Sequence, residues 1–111
     1  STAGLIASAQ KALEAEDPGA QTRVDAPIAS LAGDMHMTTL HVDAPRIPLF
    51  EEVTYLEDKD VIFAVILSAK NRQRLAERAG LSQWLARQAR ILPPESAGPP
   101  CRSPCGLPPG P

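Results

Sequence analysis

"VIFAVILSAKNRQRLAERAGLSQWLARQ", residues 61–88, is the stretch whose reading decides the fold. Its first part, 61–67, is apolar on both faces and rich in β-branched side chains. Such a run predicts a central strand covered on both sides. Beyond it the pattern turns helical. Ser68 predicts the cap of a helix over 69–79, and Gly80 suits the left-handed position that ends it. Ser82 predicts the cap of a second helix over 83–92, stopped by Pro93-Pro94. On a wheel of about 100° per residue, Lys70, Arg74 and Arg78 form a stripe opposite Leu75, Ala76 and Ala79. In the second helix Leu81, Leu85 and Leu92 share a face, flanked by Trp84 and Ile91, with Gln83, Arg87 and Arg90 opposite. Each helix thus has an apolar side for packing and a basic side for water or phosphate.

The preceding segments read as strands. "TTLHVDA" (38–44) alternates, with Leu40 and Val42 on one face and Thr39, His41 and Asp43 on the other. "APRIPLF" holds Pro45 and Pro48 and predicts a loop or an edge. "EEVTYLE" (51–57) alternates through Val53 and Tyr55, and "EDKD" (57–60) is a polar turn. Glu51-Glu52 and Asp58-Asp60 are carboxylate pairs that read as solvated turn acids rather than a general acid/base pair. Residues 2–16 predict a helix capped by Ser1 or Thr2, with Leu5, Ile6, Ala9, Ala12 and Leu13 on one face, ended by "DPG" at 17–19. Residues 20–36 are less regular. "VDAP" occurs at 24–27 and again at 42–45, as two strand ends stopped by proline would.

The expected fold is therefore α+β: a short mixed or antiparallel sheet with 61–67 at its centre, covered by a C-terminal helical hairpin, plus an N-terminal helix. The expected divisions are 1–36, an N-terminal helix and irregular leader or fused segment; 37–93, the α+β core; and 94–111, a proline-rich tail. "DMHM" (34–37) bears on the first boundary. His36-Met37 is a pair that a common cloning site encodes, and this outweighs a soft-metal site built from Met35, His36, Met37 and His41. No metal and no cofactor is expected.

The totals fit one small domain of 111 residues, 43% hydrophobic and 22% charged, with only 4% aromatics. Its core must be aliphatic and modest, so association with another chain would help it. Net charge is −2, but residues 1–60 carry eleven acids and four bases, whereas 61–111 carry two acids and seven bases. Either the halves attract each other or the basic half faces an anionic partner. No run is long enough for a membrane helix, and the N-terminal residues do not form a signal peptide, which points to the cytoplasm. Eight of the twelve prolines lie in 93–111, a composition expected to be extended, as a linker or a polyproline ligand. Cys101 and Cys105 pair only if Ser103-Pro104 turns.

"LAERAGLSQ" (75–83) resembles the core of helix-turn-helix DNA-binding regulators, with a small residue (Ala76), a glycine four residues on (Gly80) and then an apolar residue (Leu81). The resemblance covers about residues 70–92. It departs at Ala86, where that family favours Ile or Val, and in following a strand directly. It implies that Ser82, Gln83, Arg87 and Arg90 meet base edges and phosphates, while Lys70, Arg74 and Arg78 hold the backbone. A ribbon-helix-helix likeness is weaker, because "VIFAVILS" offers the groove only apolar side chains. The function expected first is a non-enzymatic transcription regulator binding double-stranded DNA through 68–92 as a homodimer. The alternative is a protein-interaction or assembly module using the acidic N-terminal half and the proline-rich tail.

Overall fold

The computed structural model describes residues 1–31 and 35–89. In chain order the elements are α1 (Thr2–Glu16), β1 (Gln21–Val24), β2 (Ile28–Ala29), β3 (His36–Ala44), β4 (Leu49–Asp58), β5 (Val61–Ala69), α2 (Arg72–Ala76) and α3 (Leu81–Gln88). The protein is α+β. Five strands form one antiparallel sheet in the order β1-β3-β4-β5, with β2 also on β3. No helix among the described residues is long and apolar enough to cross a membrane.

Alternation sorts the side chains of the long strands onto two faces. Leu40 lies opposite Val53 in the β3–β4 ladder, and both bury against Ile6 and Leu13 of α1 together with Val42 and Ala44. On the other face Met37 lies opposite Leu56, and these pack with Met35 and Ala86 of α3. The domain therefore has three layers, α1 on one side of the sheet and α2 with α3 on the other. α1, β1 and β2 share the sheet and core of residues 35–89.

Local chemistry sets the boundaries of α1. Ser1 Oγ accepts from Gly4 N at 3.1 Å, an N-cap, and the helix stops before Pro18. Asp17 then accepts from Gly19 N and from Arg46 N, each at 2.9 Å, tying the end of α1 to the turn between β3 and β4. Both "VDAP" copies do close strands: β1 ends at Val24 and β3 at Ala44.

Three expectations are corrected. β5 is an edge strand, not the centre of the sheet, with Val61 43%, Phe63 48% and Ile66 61% exposed. α1 lies over β3 and β4 and leaves β5 open on that side. An apolar run on both faces reports affinity for cover, and among the described residues the cover is incomplete. Ser68 is likewise strand, not cap. β5 runs on to Ala69, Asn71 Oδ1 caps α2 by accepting from Arg74 N at 2.8 Å, and α2 lasts only five residues. The wheel of α3 is also rotated from expectation. Ser82 and Ala86 face the sheet, while Trp84 is 59% and Leu85 44% exposed. Within the expected second helix, α3 ends at Gln88; Arg90, Ile91, Leu92 and Pro93-Pro94 lie outside the described residues, as does the tail 94–111 with Cys101 and Cys105.

Leu40→Ala, at a site 1% exposed, should cost about 2–5 kcal/mol in urea unfolding, through lost transfer energy and a residual cavity. Ile66→Ala, measured on protein dilute enough to be monomeric, should cost under about 1 kcal/mol, since that side chain is mostly exposed among the described residues. Equal costs would contradict an edge position for β5.

Candidate functional site

α3 is too short to be stable alone, and its first amides have no partners within the helix. A strand supplies them. Glu52, at the middle of β4 and only 3% exposed, accepts from Gly80 N at 2.7 Å and from Ser82 N at 2.9 Å. A carboxylate at that end also meets the positive pole of the helix dipole. The approach needs a sharp reversal after α2, which Gly80 makes at φ +84°. A Cβ there would meet nothing within 4 Å, so the demand for glycine is conformational, not steric.

The same carboxylate orients a chain of hydroxyls. Ser82 Oγ donates to Glu52 Oε2. A hydroxyl has one hydrogen, so Ser82 must accept from Thr54 Oγ1 at 2.8 Å. Thr54 in turn accepts from Thr39, its cross-strand partner, also at 2.8 Å. Thr39 accepts from Gln83 Nε2 at 2.9 Å, and that amide also reaches Asp25 at 3.4 Å. The chain therefore runs one way, from Gln83 through Thr39, Thr54 and Ser82 to Glu52. Thr39, Thr54 and Ser82 are all buried, and each polar atom in the row is satisfied.

Ion pairs flank this seam. His41 Nε2 lies 2.8 Å from Asp25, and Arg23 pairs with the other oxygen at 2.8 Å. Arg72 grips Asp43 with two hydrogen bonds, 2.5 and 2.9 Å, and lies 5.6 Å from the Phe50 ring centroid. The His41 hydrogen bond holds the Asp25 carboxyl below the ordinary aspartate range despite the opposing effect of burial. The Arg72 hydrogen bonds do the same for Asp43.

The residues expected to bind nucleic acid divide accordingly. Lys70, Arg74, Arg78 and Arg87 are exposed and form no ion pair among the described residues. Ser82 is fully buried, and Gln83 is committed to Thr39 and Asp25. The Ser82 hydroxyl is enclosed by the protein, while the Gln83 amide is half-buried at the seam. Arg90 lies outside the described residues. His36 and His41 fall on opposite faces of β3, and Met35 and Met37 are buried, so the four side chains do not converge. Glu51 and Glu52 are not turn acids; they lie within β4 on opposite faces. Glu52 is the residue that the sequence reading missed. The signal was there in "FEEVTYL", because adjacent acids in an alternating strand cannot both face water when both faces are covered.

The outer surface carries two contrasting features. One is apolar, along β5 and the outer side of α3. The other is cationic, where Lys70, Arg74 and Arg78 line a groove with Leu67 and Ala69. No family model, curated protein or solved structure matches this chain.

Glu52→Gln keeps the shape but turns one acceptor into a donor facing donors. It should destabilise the fold by about 1–3 kcal/mol in urea titration; a loss within 0.5 kcal/mol of zero, about the effect of an ordinary surface change, would show that the seam is dispensable. The two depressed aspartates make a second prediction. Their folded-state values lie below the ordinary 3.8, so their contribution is complete above that pH and disappears as pH falls through the lower values. Asp43→Asn should flatten the acid limb of a stability–pH curve while leaving its shape above pH ~6 unchanged.

Proposed function

We propose that this chain is a non-enzymatic interaction and assembly module that docks protein through the free edge of β5. The observation that carries this reading is the exposure of Val61, Phe63 and Ile66 on a strand that has no partner on one side among the described residues. Such an edge offers a row of free N–H and C=O groups, and natural proteins guard it with lysine, proline or an inward charge. Val61–Ala69 contains none of these. Leu85, itself exposed, adds apolar surface from the α3 side. Leu85 lies on the opposite flank of α3 from Gln83, which reaches back toward β3, and so it stands on the β5 side. Strand addition to such an edge draws affinity from the main chain and specificity from alternate side chains.

A second reading is favoured by the exposed Lys70, Arg74, Arg78 and Arg87. In it the cap formed by α2 and α3 binds an anionic polymer such as double-stranded DNA. With Ser82 and Gln83 committed internally, those contacts would go to phosphates and carry little sequence information.

A photo-crosslinking side chain placed at Phe63 should give covalent protein adducts in cells, whereas one at the exposed Lys11 of α1 should not. Ile66→Lys should remove the adducts without unfolding the chain. No adduct at position 63 would defeat the docking reading. Phosphate binding predicts retention on heparin that falls steeply with salt and drops when Arg74, Arg78 and Arg87 are all changed to Ala. Unchanged retention would dismiss the second reading.

A further inference from the structure

The free edge of β5 is complementary to itself. β4 and β5 join through a two-residue turn, Lys59-Asp60, with Asp58 opposite Val61. A turn of that length closes on a hydrogen-bonded pair, and such pairs alternate along an antiparallel ladder. Ile62, Ala64, Ile66 and Ser68 therefore direct their N–H and C=O groups away from β4. No charged residue lies between Val61 and Ala69, yet the strand is bracketed by Asp60 at its start and Lys70 at its end.

We infer that β5 pairs antiparallel with β5 of a second copy of this chain, about a two-fold axis through Val65. The inference rests on the reading of β5 as a docking edge and names the partner. This register matches outward-facing residues with outward-facing residues, as the alternation requires. It sets Ala64 opposite Ile66 of the second copy, small against large, on the α1 side of the sheet. On the other side it sets Phe63 opposite Leu67. At both ends it brings Asp60 against Lys70 of the second copy, so each dimer gains two opposite-charge pairs. Neighbouring registers lose this match. An axis at Ile66 puts Lys70 opposite Ile62 and the two Ile66 side chains against each other. An axis at Ala64 puts Asp60 opposite Ser68 and carries Lys70 past the start of the strand.

The pairing also completes a cavity. A groove of about 330 Å³ between α1 and the sheet runs over Leu40, Val42 and Val53 and ends on Ala64 and Ile66. In the dimer, Ile66 of the second copy lies beside Ala64 at that open end and shields it. The strands then form one continuous sheet, β1-β3-β4-β5 followed by the same four strands in reverse order.

Sedimentation of the full chain over a micromolar range should show a dimer in equilibrium with monomer. Asp60→Lys alone and Lys70→Asp alone should each weaken it roughly tenfold, by placing like charges opposite, and the two together should restore it. Val65→Cys, in a Cys101→Ser/Cys105→Ser background, should form a covalent dimer under mild oxidation, since the Val65 Cα atoms would lie about 4.5 Å apart. Val61→Cys in the same background should not. A chain that stays monomeric, a charge swap that fails to rescue, or equal cross-linking at 61 and 65 overturns the inference. Adducts at Phe63 to other proteins with a monomeric chain would sink the second copy and leave the docking edge standing. Absence of any adduct would remove both.

Discussion

Everything on the outer side of this sheet depends on one carboxylate. Glu52 is carried into the interior by strand alternation, where it could not remain without donors. The first amides of α3, equally short of partners, meet that need. α3 has no large apolar anchor facing the sheet; its inward residues are Ser82 and Ala86. Its position is fixed by polar complementarity more than by grease. Because Ser82 must face Glu52, Leu85 and Trp84 are turned outward. The exposed apolar surface is thus a consequence of how the helix is held.

The division of charge along the chain is resolved in the same way. The acidic half supplies Glu52, Asp43 and Asp25, and the basic half supplies a helix N-terminus and Arg72. Part of the asymmetry is thereby consumed in joining α2 and α3 to the sheet. What remains is the cationic set Lys70, Arg74, Arg78 and Arg87 around the end of β5 and the two short helices. Lys70, Arg74 and Arg78 line a groove at the end of a neutral, apolar strand, and the two features need not serve different partners.

Much of the sheet was legible because period-two alternation is local. Leu40 and Val42 were sorted from Thr39, His41 and Asp43 correctly, and α1 was readable from its cap and from Pro18. The position of β5 in the sheet was not legible, since strand order depends on what covers a strand, and an apolar run looks the same at a centre and at an unguarded edge. The helix after it was misplaced because Ser68 suits a cap in isolation, whereas the ladder to Glu51 and Phe50 extends the strand past it. The rotation of α3 escaped for a related reason. A wheel ranks side chains by apolarity, and here a buried acid twenty-eight residues away from Gly80 selects serine instead. The helix-turn-helix likeness rests on Ala76, Gly80 and Leu81, and of the residues it implicates, Gly80, Ser82 and Gln83 are hydrogen-bonded to the sheet.

The adjacent acids of β4 also bear on how the chain reaches this arrangement. Were β4 threaded one residue out of step, Glu51 would take the place of Glu52, so the carboxylate alone does not tell the two pairings apart. The next residues do. The slip would put Val53 where the Thr54 hydroxyl receives Thr39 and passes its proton toward Ser82, and would drive Thr54 among the aliphatic side chains beneath α1. The row of hydroxyls thus acts as a proofreading device for assembly: it completes only when the strand is seated correctly, and a misthreaded sheet leaves the Thr39 hydroxyl without its acceptor and Ser82 without its donor.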